Sequence, residues 1–310
     1  MPPSISVILC AHNPRPTHFQ ATLDGLRAQD LPFSEWELLI IDNQSDEPLA
    51  SRFDISWHPR GRIIVETTLG LAHARRRGYQ ESIGALLVHS DDDNILHPAY
   101  LRNAWHVYQS FPQMGTFGGN VIARYDLPPP AGFEAFSGNT RQVDADRWSN
   151  AIDDPRTMPI GAGMCLRREV ITDYLEQVGR DPRRLILGRT GNRFITGEDI
   201  DLNYVAVRLG YGTGLFQALS LVHLIPENRS SFAHITRYSA GNAYSMVILH
   251  YFHFGTKPPA TEGLLATLRV WLRLWLRMST RDRRHECALR RARREARRDM
   301  VTWGWIKPSD

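Results

Sequence analysis

Four short apolar runs, separated by helical patterns and polar breaks, are the feature that most constrains this chain's fold. They are Ser4–Cys10 (SISVILC), Trp36–Ile41 (WELLII), Ile63–Glu66 and Ala85–Val88. Each is too short for a core helix and rich in aliphatic or β-branched residues, the profile of strands buried on both faces. Between the first two, Thr17 can cap a helix that carries Phe19, Leu23 and Leu26 at helical spacing, until Leu31-Pro32 stops it. Between the last two, Gly70 opens a helix running to about Ser82. Strands and helices joined by short connections predict an α/β fold with a mostly parallel sheet covered by helices.

Three of these strands run straight into polar residues. The first meets Ala11-His12-Asn13-Pro14, the second Asp42-Asn43-Gln44-Ser45-Asp46, and the fourth, after His89-Ser90, meets Asp91-Asp92-Asp93-Asn94. Open α/β sheets bind ligands outside the carboxyl ends of their strands. Three adjacent carboxylates repel one another unless a cation or a protonated partner intervenes. Their oxygens suit a hard ion such as Mg2+ or Mn2+, which usually bridges to phosphates. Taken alone, the triplet reads equally well as a solvated acidic turn. No GxGxxG follows the first strand and no GxxxxGK[ST] occurs, so a dinucleotide fingerprint and a P-loop are both missing.

Farther along, Tyr100 to Phe111 and Arg168 to Gln177 have helical spacing, and Gly118-Gly119-Asn120 leads into another strand. Residues 126–157, with Pro128-Pro129-Pro130, read as a long irregular excursion, a common form for lids and binding segments. A second acidic landmark, Thr196-Gly197-Glu198-Asp199-Ile200-Asp201, starts a helix that continues to Leu209. Acids in a first turn complement the helix dipole, which suffices to explain Asp201 but not all three. Leu219 to Val222 is a final strand ending at His223.

Charge is unevenly distributed. The net charge is +4, yet residues 262–310 hold 13 Lys/Arg against 6 Asp/Glu, so the remainder is slightly acidic. In that tail, Leu265, Leu268, Trp271, Leu272 and Trp275 share one helical face over Gly263 to Met278, and Arg269, Arg273 and Arg277 another. A second basic helical pattern follows from Arg281 to Arg298. Two readings stand: a helix on an anionic membrane surface, or an element that packs on the protein or mediates self-association. Cys10, Cys165 and Cys287 are isolated, which fits a reducing cytoplasm and neither disulfides nor a zinc site, with Cys10 and Cys165 expected as buried free thiols. No secretory signal and no apolar run of membrane-spanning length is expected.

Taken in order, SVILCAHNP, LLIIDNQSDE, VHSDDDNILHPAYL and TGEDIDL resemble the inverting family 2 glycosyltransferases of GT-A fold, over about residues 4–225. The resemblance implies a metal-dependent transfer of sugar from a nucleoside-diphosphate sugar, a UDP-sugar favoured, in bacterial glycan or glycoconjugate synthesis. A glycan, a lipid-linked molecule or another hydroxyl compound would be the acceptor, and nucleic acid is not an expected partner. By the same resemblance Ala11, His12, Asn13, Asp42 and Asn43 meet the base and ribose, with Arg75 near the nucleotide. Asp91 and Asp92 would support donor and ribose, Asp93 would bind Mg2+ or Mn2+, and His223 would add a metal or phosphate contact. Gly119 and Gly163 would line the sugar and acceptor. Asp199 matches the general base, with Glu198 orienting it. The organisation expected is a catalytic domain over 1–225, a connecting, acceptor-side segment over 226–261 and a helical tail over 262–310. The protein would be cytoplasmic, or peripheral on the inner face of the membrane if the tail binds lipid.

Other chemistries are weaker matches. Asp91-x-Asp93-x-Ile95 resembles the nucleophile motif of haloacid-type phosphatases, but that motif normally ends a first strand and here follows three strand–loop units. A sugar-nucleotide nucleotidyltransferase would carry a Gly-rich basic loop where Ala11-His12-Asn13-Pro14 stands. A non-catalytic nucleotide-sugar or membrane binder would not need acids at both landmarks.

Overall fold

The computed structural model describes residues 3–131, 133, 140–189, 194–258 and 278–308. Strands β1 (Ile5–Ala11), β2 (Trp36–Asp42), β3 (Gly61–Val65) and β4 (Leu86–Asp91) pair in parallel in the order β3-β2-β1-β4. Each residue of β1 and β2 is buried, as continuous apolar runs demand of a sheet covered on both faces. Helix α1 (Pro16–Arg27) covers one face with Phe19, Leu23 and Leu26, and short α2 (Leu49–Arg52) adds Leu49 there. Helix α3 (Leu71–Glu81) covers the other face through Ala74 and Tyr79. Gly78 is required there, since a Cβ would sit 2.4 Å from the Ile8 side chain.

Beyond β4 the sheet changes sense. After a two-residue turn comes β5 (Asn94–Leu96), then α4 (Tyr100–Ser110) and the long β6 (Met114–Tyr125). In the excursion, β7 (Arg147–Ser149) is followed by β8 (Cys165–Arg167), which lies antiparallel between β4 and β6. Helices α5 (Arg168–Arg180) and α6 (Glu198–Arg208) join α3 on its face. Strand β9 (Gly212–Ile225) runs parallel to β6 and antiparallel to β5 and β7. The expected α/β sheet covered by helices is therefore present. Cys10 and Cys165 are buried free thiols, and burial raises both.

Two expectations change, and the segment over 226–261 gains a definite form. Strand β4 extends to Asp91, so the first acid of the triplet is a strand residue and only Asp92 and Asp93 form the turn. Strand β9 continues past Val222, placing His223 inside a strand and opposite Asn94 of β5. Residues 226–261 hold a long helix, α7 (Phe232–Phe254), which packs against α8 (Thr280–Thr302). Buried Ala292, Ala296 and Met300 of α8 share a hydrophobic cluster with Tyr244 and Ile248 of α7 and Met158, Leu187 and Tyr204 of the α/β body. The amphipathic pattern over Gly263–Met278 lies outside the described residues, Met278 apart. No helix among the described residues is long and apolar enough to cross a membrane.

Candidate active site

The carboxyl ends of β1, β2 and β4, the start of α6 and the first half of α7 enclose one cavity of about 1170 Å³. Ala11, His12, Asn43, Gly70, Arg75 and all three acids of the triplet line it, together with Glu198, Asp199 and His223. The two acidic landmarks thus face the same space.

Arg75 joins them. Its guanidinium is buried, with Nη2 3.1 Å from Asp91 Oδ1 and Nη1 3.3 Å from Glu198 Oε2. Burial opposes its charge, but Glu198 and Asp91 more than compensate and hold it firmly protonated. Glu198 also accepts a hydrogen bond from the Tyr79 hydroxyl at 3.4 Å. Burial pushes its carboxyl up to about 7, although the Arg75 charge pulls the other way. Arg75 therefore braces the centre of the site.

Asp199 sits half-buried at the start of α6, where Gly197 takes a left-handed turn at φ 105°. Its Oδ1 accepts the Ile200 N–H at 3.0 Å and its Oδ2 the Gly161 N–H at 3.0 Å. These bonds orient the carboxylate and leave further lone pairs facing the cavity. Its charge acts on Arg141 and on Tyr238 of α7. Asp201 has a role other than helix capping. It is fully buried, paired with Arg184 and with His253 of α7, and so ties α6 to the terminal helices.

Asp93 is buried, with His223 Nε2 3.4 Å from Oδ1 and Arg229 Nη1 2.8 Å from Oδ2. Burial alone would raise its carboxyl, but the His223 hydrogen bond and charge, with Arg229 and Arg189, hold it below the usual range. Conversely, burial would depress His223, and Asp93 raises it. Asp92 is pushed up to about 7 by burial and by the neighbouring Asp93 charge. Two donors on one octahedral ion stand about 3 Å apart, so Asp93 and His223 fit a shared divalent cation. A carboxylate with an imidazole suits Mn2+ as well as Mg2+. Among the described residues no three His, Cys, Asp or Glu side chains converge on such a point, so ligands from outside the protein would have to complete the shell.

Several expected contacts serve the fold. Asp42 does not line the cavity, and its two oxygens accept the Ser45 and Leu49 N–H groups at 3.0 and 2.9 Å. Asn43 reaches the wall, but its amide donates to Glu66 and Thr68 carbonyls and accepts the Gly70 N–H, leaving no free donor for a base edge. Asn13 exchanges hydrogen bonds with Asp46 away from the cavity, whereas His12 Nδ1 is held at 2.8 Å by the Asn43 carbonyl. Gly119 is a sheet residue, where a Cβ would strike the Leu219 carbonyl at 2.1 Å. Gly163, at φ 70°, lets Leu221 and Tyr100 approach, while its neighbours Gly161 and Ala162 line the cavity. Sequence reading missed Arg141, Arg189, Arg229, Arg237 and Tyr238, all of which line it. Arginines are so frequent here that none carries a signal, and the connecting, acceptor-side reading of residues 226–261 names no residue in it.

An open sheet with a crevice at its strand ends is a ligand-binding architecture, and comparisons with known proteins identify the family. The model of the glycosyltransferase-like family 2 matches residues 2–239. The chain belongs to that family. Glycosyltransferase AglE of Haloferax volcanii is 26% identical over 189 residues, which are 60% of this chain and 58% of that relative, so somewhat over half its length is spanned. Among solved structures, the mannosyltransferase PcManGT from Pyrobaculum calidifontis, in complex with GDP-Man and Mn2+, aligns with TM-score 0.55 and 18% identity over 98% of this chain and 88% of that one. S. aureus TarS 1-349 in complex with UDP aligns with TM-score 0.52 and 12% identity, covering 97% and 92%. Both likenesses concern the fold, which is that of GT-A glycosyltransferases.

Proposed function

We propose that this glycosyltransferase moves a sugar from a nucleoside-diphosphate sugar to an acceptor hydroxyl by one displacement with inversion. The observation that carries the reading is that Arg75 clamps Asp91 to Glu198, so that the Asp91–Asp93 triplet and Asp199 line one cavity. Asp199 accepts the proton of the attacking hydroxyl, and the Gly161 and Ile200 N–H groups hold it in place. Arg229, paired with Asp93, faces the charge that grows on the departing diphosphate. Asp93 and His223 would hold a Mn2+ or Mg2+ ion, which supplies Lewis-acid stabilisation to that leaving group. UDP-sugars head the donor list, with GDP-sugars next because a protein of similar fold binds GDP-Man with Mn2+.

The test is a panel of nucleotide sugars with Mn2+ or Mg2+, read by hydrolysis and by protection against melting. One class of donor should be turned over, and Asp199→Asn should keep donor binding while losing roughly 10²–10⁴-fold in transfer. Normal transfer by that variant would remove Asp199 from the role. The outward face of α8 fits contact with an anionic membrane surface, which would make the protein peripheral.

A further inference from the structure

The same cavity has further lining of a different character. Arg141, Arg189 and Arg237 line it with Phe194, Ile195, Ile235, Tyr238 and Met246. Arg237 lies over the Phe194 ring at 4.3 Å, and Arg189 over the Tyr238 ring at 5.9 Å. His234, edge-on to Phe194 at 5.3 Å, is pushed down to about 4 by burial and by Arg229, Arg189 and Arg237, so these cations converge on one wall.

Arg75 and Arg229 have carboxylate partners, whereas Arg141, Arg189 and Arg237 form no ion pair with a carboxylate among the described residues. Arg141 spends one hydrogen bond on the Pro155 carbonyl. Arg141 and Arg189 are partly buried and Arg237 is exposed, and all three line the cavity. Guanidinium groups stacked on aromatic rings hold their forks ready for an oxyanion.

We infer that this wall is an acceptor subsite for an amphiphile, with Arg141, Arg189 and Arg237 binding a phosphate or carboxylate and Phe194, Ile235 and Met246 an adjoining apolar chain. The inference rests on the assignment of Asp199 to the acceptor side. An anion held here would set the reacting hydroxyl near Asp199 and raise the selectivity for acceptors that carry one.

The test uses full-length protein saturated with Mn2+ and the nucleoside diphosphate that most raises its melting temperature. Decyl phosphate, decanoate, decanol and inorganic phosphate are then titrated by calorimetry. Decyl phosphate or decanoate should bind at least about tenfold more tightly than decanol and than inorganic phosphate, the stronger of the two naming the headgroup. Arg237→Gln and Arg141→Gln should each weaken that probe about tenfold and leave nucleoside diphosphate binding unchanged. Equal binding of decanol would overturn the anionic subsite. Equal binding of inorganic phosphate would remove its apolar half, and unaltered variants would place the anion elsewhere. Failure of every nucleoside diphosphate to bind would instead count against the donor assignment.

Discussion

Arg75 and Glu198 meet at 3.3 Å inside the molecule, although one lies on the helix after β3 and the other opens α6. The second guanidinium nitrogen holds Asp91 at 3.1 Å, so a single side chain spans the site. A lysine keeps the charge but has no fork with which to bridge both acids. Arg75→Lys should therefore lower turnover by roughly 10²-fold through misplacement of the reacting groups. Nucleoside diphosphate should still bind, as read by melting temperature. Wild-type turnover would show that the bridge is dispensable.

Arg229 occupies one oxygen of Asp93 at 2.8 Å and competes there with any other cation. Arg229→Gln should bind Mn2+ more tightly than wild type when no nucleotide is present, measured by the loss of the free-ion paramagnetic resonance signal. Asp93→Asn should lose that binding. If Arg229→Gln binds Mn2+ no better, the ion pair does not guard the site.

Glu198 gives a pH dependence whose sign follows from its environment. Its carboxyl rises from 4.5 to about 7 on folding, so across that window the folded protein keeps a proton that the unfolded chain has released. Its contribution to stability is present below pH 4.5 and is lost as pH rises towards 7. Glu198→Gln mimics the protonated form and should flatten the decline in melting temperature between pH 5 and 7. Equal slopes in both proteins would mean that Glu198 is ionised throughout.

On α8, Arg284, Arg291 and Arg298 recur every seventh residue and are exposed, with Arg294 beside them. The helix spends Ala292, Ala296 and Met300 on the protein, so membrane attraction through α8 would be electrostatic and not inserted. Full-length protein should float with vesicles containing phosphatidylglycerol, more weakly at high salt, and substitution of these four arginines by Gln should abolish flotation. Binding indifferent to lipid charge would leave α8 as a packing element.

The alternation of β1 to β4 with helices, and the polar breaks after β1, β2 and β4, were legible in the sequence because both are local. A β-branched run seeks a sheet interior, and Asn-Pro or Asp-Asp ends a ladder whatever lies elsewhere in the chain. The same locality made Asp91–Asp93 and Glu198–Asp199 visible as two separate acidic landmarks. Which of those polar groups are left for a ligand was decided only by tertiary structure. Asn43 looked free to meet a base until the Glu66–Gly70 loop closed over its amide, and Gly119 looked like a ligand glycine until β9 came within contact of it. Likewise, Arg75 is one arginine among many in sequence, and only the packing of α3 against α6 sets it between two carboxylates. A hydrogen-bonding group can be used once, and its partner is chosen by distance in space, so roles that depend on residues far apart in the chain appear only when the chain has folded.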